Sequence, residues 1–171
     1  ATVDQVVVNT GGTLTLISDF TVNNGAGTDL VINGILNITN CTIAGSGNAN
    51  ITGNINWNVG TISIPATLTG SSTTNISGYE QIITSTVTNN GTINWSGVYL
   101  SFNGGTLVNN NILNNSSNGY LYKYANGGTL NNNATGTFRK LTGSGSTYTY
   151  VHINNSGIVD VQSGILEIYN D

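Results

Sequence analysis

The sequence predicts an all-β protein, a parallel β-helix (β-solenoid) of about seven to eight coils with about 22 residues in each. Three observations predict this fold. Asn, Thr, Gly and Ser make up 92 of the 171 residues, so turn-forming residues are abundant. Ile, Val and Leu contribute 43 residues in short alternating runs, which is enough for a core. Pairs of asparagines recur at an interval of about 22 residues.

Short strands separated by tight turns account for the local pattern. No stretch longer than ten residues lacks Gly, Pro and Asn, which leaves no room for helices of ordinary length. Runs such as Thr13–Leu16, Gly60–Ile64 and Gly164–Ile168 alternate apolar and polar side chains between clusters of Asn, Gly and Ser. This alternation predicts strands of about five residues with one side in the core and the other in solvent.

The repeat is marked at its corners by asparagine. The recurrent pairs are Asn23-Asn24, Asn89-Asn90, Asn110-Asn111, Asn132-Asn133 and Asn154-Asn155. The last four pairs follow one another at a nearly constant interval of about 22 residues, and the first precedes the second by three such intervals. Asn tolerates left-handed backbone, and its amide can bond to the same amide one coil away. A second column with similar spacing consists of the aromatic residues Trp57, Tyr79, Phe102, Tyr124, Tyr148 and Tyr169.

We expect a single domain, residues 1–171, with both ends of the solenoid open. No helical or charged segment is available to cap either end. The candidate contact residues at the ends are Val6, Val7, Val8, Ile165, Leu166, Ile168 and Tyr169. Open ends favour head-to-tail stacking into a filament, so the predicted partner is the chain itself.

Ionised side chains are scarce, at 6% of residues, and the formal net charge is -4. This balance excludes a basic nucleic-acid binder and a charged coiled coil. No run of ten consecutive apolar residues occurs, so no membrane span is expected. The sequence begins at Ala1 and contains no Met, as in a mature product whose leader has been removed. We therefore expect a secreted or cell-surface protein.

We predict no catalytic residue, no metal site and no cofactor, and we expect the protein not to be an enzyme. The seven acidic residues are scattered, and the closest internal pair, Asp160 and Glu167, is expected to be solvated. The only Cys, Cys41, and the only His, His152, lie far apart in the sequence, without the close spacing of metal ligands. Cys41 has no disulfide partner and is expected to be a buried thiol.

A tyrosine-rich strip is the candidate binding surface. Alternation about the aliphatic Val151 and Ile153 predicts that neighbouring polar and aromatic side chains face outward. The strip then consists of Tyr120, Tyr122, Tyr124, Tyr148, Tyr150 and His152. It would stack on a polysaccharide or pack laterally against another rod. In the alternative arrangement Lys123 points outward and the tyrosines fill a wide core. The basic pair Arg139-Lys140 beside the strip is expected at a solvated corner.

Part of the chain, residues 89–168, carries a family resemblance. Its segments are NNGTINW at 89–95, GGTL at 104–107, GTFRKLTGSG at 136–145 and INNSGIVDVQSGIL at 153–166. These segments resemble the Asn/Gly-rich β-helical repeats of bacterial adhesin-like and autotransporter-passenger-like surface proteins. The resemblance implies a right-handed parallel β-helix displayed outside the cell, and it brings no catalytic motif.

The predicted function is that of a self-associating structural subunit of an extracellular fibre or matrix. The alternative is a carbohydrate-binding adhesin segment that uses the tyrosine strip. Two further functions are less favoured. Ice binding needs aligned threonines, but the Thr-x-Thr motifs at 13–15, 67–69, 84–88, 135–137 and 147–149 are not separated by multiples of the coil length. A polysaccharide lyase needs clustered carboxylates, which the spacing does not provide.

Overall fold

The structure is a computed structural model, and it describes residues 1–169. Within these residues there are 23 strands and no helix, so no helix is present that could cross a membrane. The strands form parallel sheets, and the chain winds through about eight stacked coils of about 20 residues. The predicted β-solenoid is therefore confirmed. Each coil has three sides, and strands of successive coils pair along each side.

The three sides are defined by their strands. The first face contains β2 (Val6–Val8), β5 (Leu30–Ile32), β7 (Ala49–Ile51), β9 (Ala66–Leu68), β12 (Thr86–Asn89), β15 (Thr106–Asn109), β18 (Thr129–Asn132) and β21 (His152–Asn155). The second face contains β3 (Thr13–Leu16), the first parts of β6 (Ile35–Ala44) and β8 (Asn54–Ile62), β10 (Thr73–Ile76), β13 (Thr92–Trp95), β16 (Ile112–Asn115), β19 (Thr137–Lys140) and β22 (Ile158–Val161). The third face contains β1 (Thr2–Val3), β4 (Phe20–Val22), the second parts of β6 and β8, β11 (Glu80–Ile83), β14 (Tyr99–Phe102), β17 (Tyr120–Lys123), β20 (Ser146–Thr149) and β23 (Ile165–Ile168).

The coils differ in length. A short coil leads from Ala49 to its partner Ala66, whereas a much longer one leads from Tyr120 to its partner Tyr148. Inserted residues lie at the corners, as in the register shifts between β6 and β8 at Ile38–Cys41, and the residues of each face remain paired. Because the period is not fixed, the aromatic column predicted from a constant spacing is wrong. Trp57 and Phe102 lie in the core on different faces, whereas the tyrosines of that column lie outside.

The core is a set of side-chain columns that run along the rod. Inward-facing positions of successive coils pair directly, as Leu36, Ile55, Thr74 and Ile93 do on the second face. Each of these side chains is at most 2% exposed. The strand alternation read from the sequence is thus the alternation between these core columns and the outer surface.

One of these columns changes from aliphatic residues to asparagine. On the first face it consists of Val8, Ile32, Ile51, Leu68, Asn89, Asn109, Asn132 and Asn155. Each amide Nδ2 donates to the Oδ1 of the next amide, at 2.7 Å from Asn89 to Asn109 and again from Asn109 to Asn132. Nδ2 of Asn109 also donates to the carbonyl of Thr137, 3.2 Å away. The buried amides are therefore paired both with one another and with the backbone at the corner, as burial requires.

The predicted asparagine ladder is confirmed, with one correction. The pair Asn23-Asn24 does not belong to this corner, because it follows β4 on the third face. Its separation from Asn89 by three apparent periods is a coincidence. The corner position occupied by Asn89 is filled by Leu68 in the coil before, which explains why the asparagine signal stops there.

A second, outer ladder runs along the second face over its whole length. It contains Thr15, Asn37, Asn56, Asn75, Asn94, Asn114, Arg139 and Asp160. Each of its amides donates Nδ2 to the residue of the preceding coil at 2.9–3.3 Å. The ladder begins at a hydroxyl, and its last contact is the 2.9 Å ion pair between Arg139 and Asp160.

Lys140 corrects the expectation of a solvated basic corner. Arg139 faces outward, but Lys140 is fully buried and occupies the same core column as Trp95 and Asn115. Its Nζ donates to the carbonyl oxygens of Ser117 and Thr142 at 2.8 and 2.9 Å and to Oδ1 of Asn118 at 3.2 Å. Burial lowers the pKa of Lys140. The alternation inward and outward continues through the basic pair, and the lysine stabilises the loops beside it.

We expect the internal ladder to contribute more to stability than the outer ladder. We expect Asn109→Ala to lower the free energy of unfolding by about 2–4 kcal/mol, because it leaves one buried N–H of Asn89 and the Oδ1 of Asn132 without the partner they have in the ladder. The control Asn94→Ala interrupts the outer ladder, where solvent replaces the amide, and should cost less than about 1 kcal/mol. Urea denaturation measures both. Equal losses would contradict a special role for the internal ladder.

The buried lysine provides a second comparison. Lys140→Met keeps the side-chain length but removes the donor to three oxygens, so we expect a loss of about 1–3 kcal/mol in the free energy of unfolding. Arg139→Met removes a partly exposed ion pair with Asp160 and a 3.3 Å hydrogen bond to Asn114 Oδ1, and should cost no more than about 1 kcal/mol. Thermal unfolding of the two variants checks the order. A more stable Lys140→Met protein would show that burying the ammonium costs more than its hydrogen bonds return.

Candidate functional site: the tyrosine face

All eight tyrosines of the chain lie on the outside of the third face and form one connected network of ring contacts, which we name the tyrosine face. Its members are Tyr79, Tyr99, Tyr120, Tyr122, Tyr124, Tyr148, Tyr150 and Tyr169. Strand register produces the network, because Tyr99, Tyr120 and Tyr148 are direct partners on β14, β17 and β20. The alternative arrangement, with tyrosines in the core, is not observed.

The rings adopt two orientations. Tyr99, Tyr120 and Tyr148 are stacked, with centroids 5.0 and 5.2 Å apart and interplanar angles of 18° and 14°. Within this stack the ring faces are turned to one another and only edges and hydroxyls point outward. Tyr122 stands across the stack, at 79° to Tyr99 and 89° to Tyr124. The rings at the lower end of the tyrosine face therefore do not continue the parallel stack.

A cleft at this lower end has a volume of about 370 Å³ and is lined by Tyr79, Glu80, Tyr99, Tyr122 and Tyr124. Glu80 Oε1 accepts hydrogen bonds from the hydroxyl of buried Ser101 at 2.6 Å and from the hydroxyl of Tyr124 at 2.8 Å. These two bonds fix the carboxylate and hold the Tyr124 ring in place. We call this site the Glu80 cleft.

A smaller cleft of about 210 Å³ shares Glu80 and continues down the third face to Asp19 and Cys41. Asp19 Oδ1 accepts from the backbone N–H of Thr42 at 2.8 Å, and the amino group of Ala1 donates to the Asp19 carbonyl at 2.9 Å. Cys41 is buried, and burial raises the pKa of its thiol. The thiol therefore lies at this cleft in its protonated form.

Hydrogen bonds to glutamate raise the pKa of two tyrosines. The hydrogen bond to Glu80 raises the pKa of Tyr124 from 10.0 to about 12, with burial and the nearby negative charge adding to the effect. At the upper end of the tyrosine face, Tyr169 donates to Glu167 Oε2 at 2.7 Å, and the pKa of Tyr169 is likewise raised to about 12. Hydrogen bonds from Ser146 and Tyr169 lower the pKa of Glu167. Both phenols therefore stay neutral to a higher pH than an ordinary tyrosine.

The structure brings together five of the six residues of the predicted strip: Tyr120, Tyr122, Tyr124, Tyr148 and Tyr150. His152 is separated from them, because the chain turns at Val151 and His152 begins β21 on the first face. The alternation of side chains along a strand predicts that His152 lies with the tyrosines, because alternation does not show where the chain turns a corner.

Sequence reasoning missed Glu80, Tyr79 and Tyr99 as members of the site. Tyr99 is the strand partner of Tyr120 in the next coil, a relation that a search with a variable period would have found. Glu80 is the partner of Tyr99 in the same column, and Glu167 is the partner of Tyr148. The two glutamates thus mark the ends of the tyrosine column, although their separation in sequence hides this.

The other chemically active side chains are spread over different faces. Asp160 lies on the second face and Glu167 on the third, so the closest acidic pair in the sequence is not a pair in space. Residues 1–169 contain no group of three His, Cys, Asp or Glu side chains arranged to hold a metal ion.

The predicted end residues divide according to strand alternation. Val6, Val8, Leu166 and Ile168 occupy core columns at the two ends of the rod. Val7 and Ile165 face outward, and Tyr169 belongs to the tyrosine face. Only the inward-facing residues, Val6, Val8, Leu166 and Ile168, could form a core with a neighbouring rod.

Removing the negative charge of Glu80 tests whether it raises the pKa of Tyr124. Glu80→Gln keeps an oxygen acceptor but removes the negative charge, so we expect the pKa of Tyr124 to fall from about 12 toward 10. The stability that Tyr124 gains from Glu80 is present below pH 10 and is lost as the pH rises through 12, because the raised pKa favours the neutral phenol of the folded protein.

Ultraviolet titration of tyrosinate formation, assigned with Tyr124→Phe, measures the change. Tyr169 provides an internal control, since its glutamate is untouched and its pKa should stay at about 12. An unchanged Tyr124 titration in Glu80→Gln would contradict the assignment of the raised pKa to the Glu80 carboxylate.

The chain matches no protein-family model, and no curated protein or solved structure is significantly similar to it. The resemblance to adhesin-like surface repeats therefore stays a prediction from the sequence, and function has to be argued from the geometry of the solenoid.

Proposed function

We propose that this protein is a non-enzymatic structural rod that associates end to end with further copies of itself in an extracellular fibre or matrix. The observation that carries the proposal is the state of the last described coil. β21, β22 and β23 each pair on one side only, and residues 1–169 place nothing over their other edge. Inward-facing Val161 and Ile168 are 48% and 49% exposed there, although their columns are core elsewhere.

The first coil of the described chain has a matching arrangement. β1, β2 and β3 each have a single partner, so their outer edges are free for parallel pairing within the described part of the chain. If a second copy continues the columns, Val6 lies over Ile153, and Leu14 and Leu16 lie over Val159 and Val161. Such contacts bury apolar surface on two of the three faces, and they pair backbone groups that are otherwise solvated.

The outer ladder supports the same continuation. Thr15 at its lower end accepts a hydrogen bond from Asn37, so its hydroxyl hydrogen remains available as a donor. Asp160 at its upper end accepts from Arg139 Nε and Gln162 Nε2 through Oδ2. In a head-to-tail stack the Thr15 hydroxyl would lie above the Asp160 carboxylate. The Thr15 hydroxyl could then donate a hydrogen bond to the Asp160 carboxylate at the joint, the contact between the two rods.

The internal ladder is consistent with this joint but adds nothing to it. Asn155, its last amide, would lie beneath Val8 of the next copy. Its Nδ2 already donates to the Gly157 carbonyl at 3.2 Å, and its Oδ1 accepts from Asn132 at 2.6 Å. An apolar neighbour above Asn155 therefore leaves neither end of the amide unpaired at the joint.

The extracellular location is supported by the resemblance of residues 89–168 to surface repeats. Glycan binding by the tyrosine face stays the alternative prediction. Its weakness is geometric, because the stacked rings of Tyr99, Tyr120 and Tyr148 use their faces on one another. Sugars stack on open ring faces.

A pair of charge substitutions on one strand tests the assembly. Val161 and Ile158 both lie on β22 and are 48% and 59% exposed, but Val161 faces the core column and Ile158 faces outward. We expect the unmodified chain to form filaments one rod in width at high concentration. Val161→Lys should abolish them, because it places a charge in the joint, whereas Ile158→Lys should leave them intact.

Electron microscopy and light scattering of the purified chain measure the outcome, with circular dichroism as a check on folding. A monomeric unmodified chain at high concentration would refute end-to-end stacking. Filaments that respond equally to both substitutions would show that the contact lies on the sides of the rod.

A further inference from the structure

We propose that the Glu80 cleft binds an organic ammonium ion, with the carboxylate and the surrounding tyrosine rings as its recognition elements. The site is independent of assembly, because its lining residues lie in the middle of the rod and none belongs to a terminal coil. The ligand class covers a free quaternary ammonium compound and the methylated lysine side chain of a protein. Both present the same cation.

Ring geometry is the first support. The Tyr122 ring is nearly perpendicular to those of Tyr99 and Tyr124, with centroids 6.2 and 5.3 Å away, and Tyr79 stands at 63° to Tyr99. The rings therefore surround the cleft from several directions. A rounded cation can contact more than one ring face at once, and attraction to a ring face extends to about 6 Å from its centroid. A flat sugar ring instead needs one open platform.

Charge is the second support. Both hydrogen bonds to Glu80 use Oε1, which leaves Oε2 without a hydrogen bond from any residue of the described chain. The adjoining cleft adds the carboxylate of Asp19, and no Lys or Arg lines either cleft. Lys123 of β17 lies between Tyr122 and Tyr124 in the sequence, but it belongs to the inward column of Phe102. The charged side chains that line the two clefts are therefore negative, which favours a cationic ligand.

Preorganisation is the third support. Ser101 is fully buried beneath the cleft and holds the carboxylate from below, while Tyr124 holds it from the side. The carboxylate therefore does not have to be ordered when a ligand arrives. The volume of about 370 Å³ is within the range of small-ligand sites and exceeds that of a trimethylammonium group.

The test uses choline and its uncharged carbon isostere, dimethylbutanol, which have nearly the same shape. In nuclear magnetic resonance titrations of the full chain, choline should shift the ring signals of Tyr79, Tyr99, Tyr122 and Tyr124 and leave those of Tyr148 unchanged. Dimethylbutanol should bind at least about tenfold more weakly, since it lacks the charge. A peptide with trimethylated lysine distinguishes the source, because tighter binding than choline assigns the site to a protein partner.

Variants separate recognition from folding. Tyr122→Ala should weaken choline binding about tenfold, and Glu80→Gln about fivefold with loss of its salt dependence. Tyr148→Ala removes a tyrosine of the same face outside the cleft and should bind choline normally. Circular dichroism establishes that each variant is folded. Equal binding of choline and dimethylbutanol, or binding unaffected by both cleft substitutions, would overturn the proposal. Ring shifts produced by a neutral oligosaccharide but not by choline would assign the face to glycans instead.

Discussion

Parallel pairing between coils is the constraint on which the rest of the structure depends. Every strand takes its backbone hydrogen bonds from the neighbouring coils, so equivalent residues are brought to one strand spacing of each other along the whole rod. Any side chain therefore has a neighbour determined by register. Columns of Ile and Leu make the core, columns of Asn make ladders, and a column of Tyr makes the stacked face. With 6% charged residues, few of these columns place like charges next to each other.

This constraint also explains how polar groups are accommodated inside the rod. A single buried amide would be costly, but a column of amides satisfies one amide with the next and with the corner carbonyls. Lys140 is the extreme case, because it occupies a core column and has no like neighbour. The longer coil around it supplies loop carbonyls in place of a ladder partner. The widened corner and the buried ammonium are thus parts of one local arrangement.

The coil architecture and the asparagine corner could be predicted from the sequence, because both depend on local alternation and on a repeated residue type. Assignments that depend on the exact length of each coil could not be predicted from the sequence. A constant period put Trp57 and Phe102 in one column with outer tyrosines and included Asn23-Asn24 in the wrong corner. Strand alternation alone placed His152 beside the tyrosines, because the corner at Val151 is visible only in the structure. Glu80 was missed for the same reason, since its partner Tyr124 is 44 residues away in sequence and two coils away in space.

The two surfaces with proposed roles lie in different places, and this separation has a structural consequence. The proposed stacking would use the terminal coils, whereas the Glu80 cleft faces sideways from β11, β14 and β17. Eight coils at a strand spacing of about 4.8 Å span about 38 Å along the axis of the solenoid. The proposed head-to-tail filament would carry one cleft per rod at a regular interval, aligned by the register of the columns. A weak site repeated at a fixed spacing gains strength against a ligand that carries several cations, because the second contact is made within the same complex. Assembly and recognition would then reinforce each other without any contact between the two surfaces.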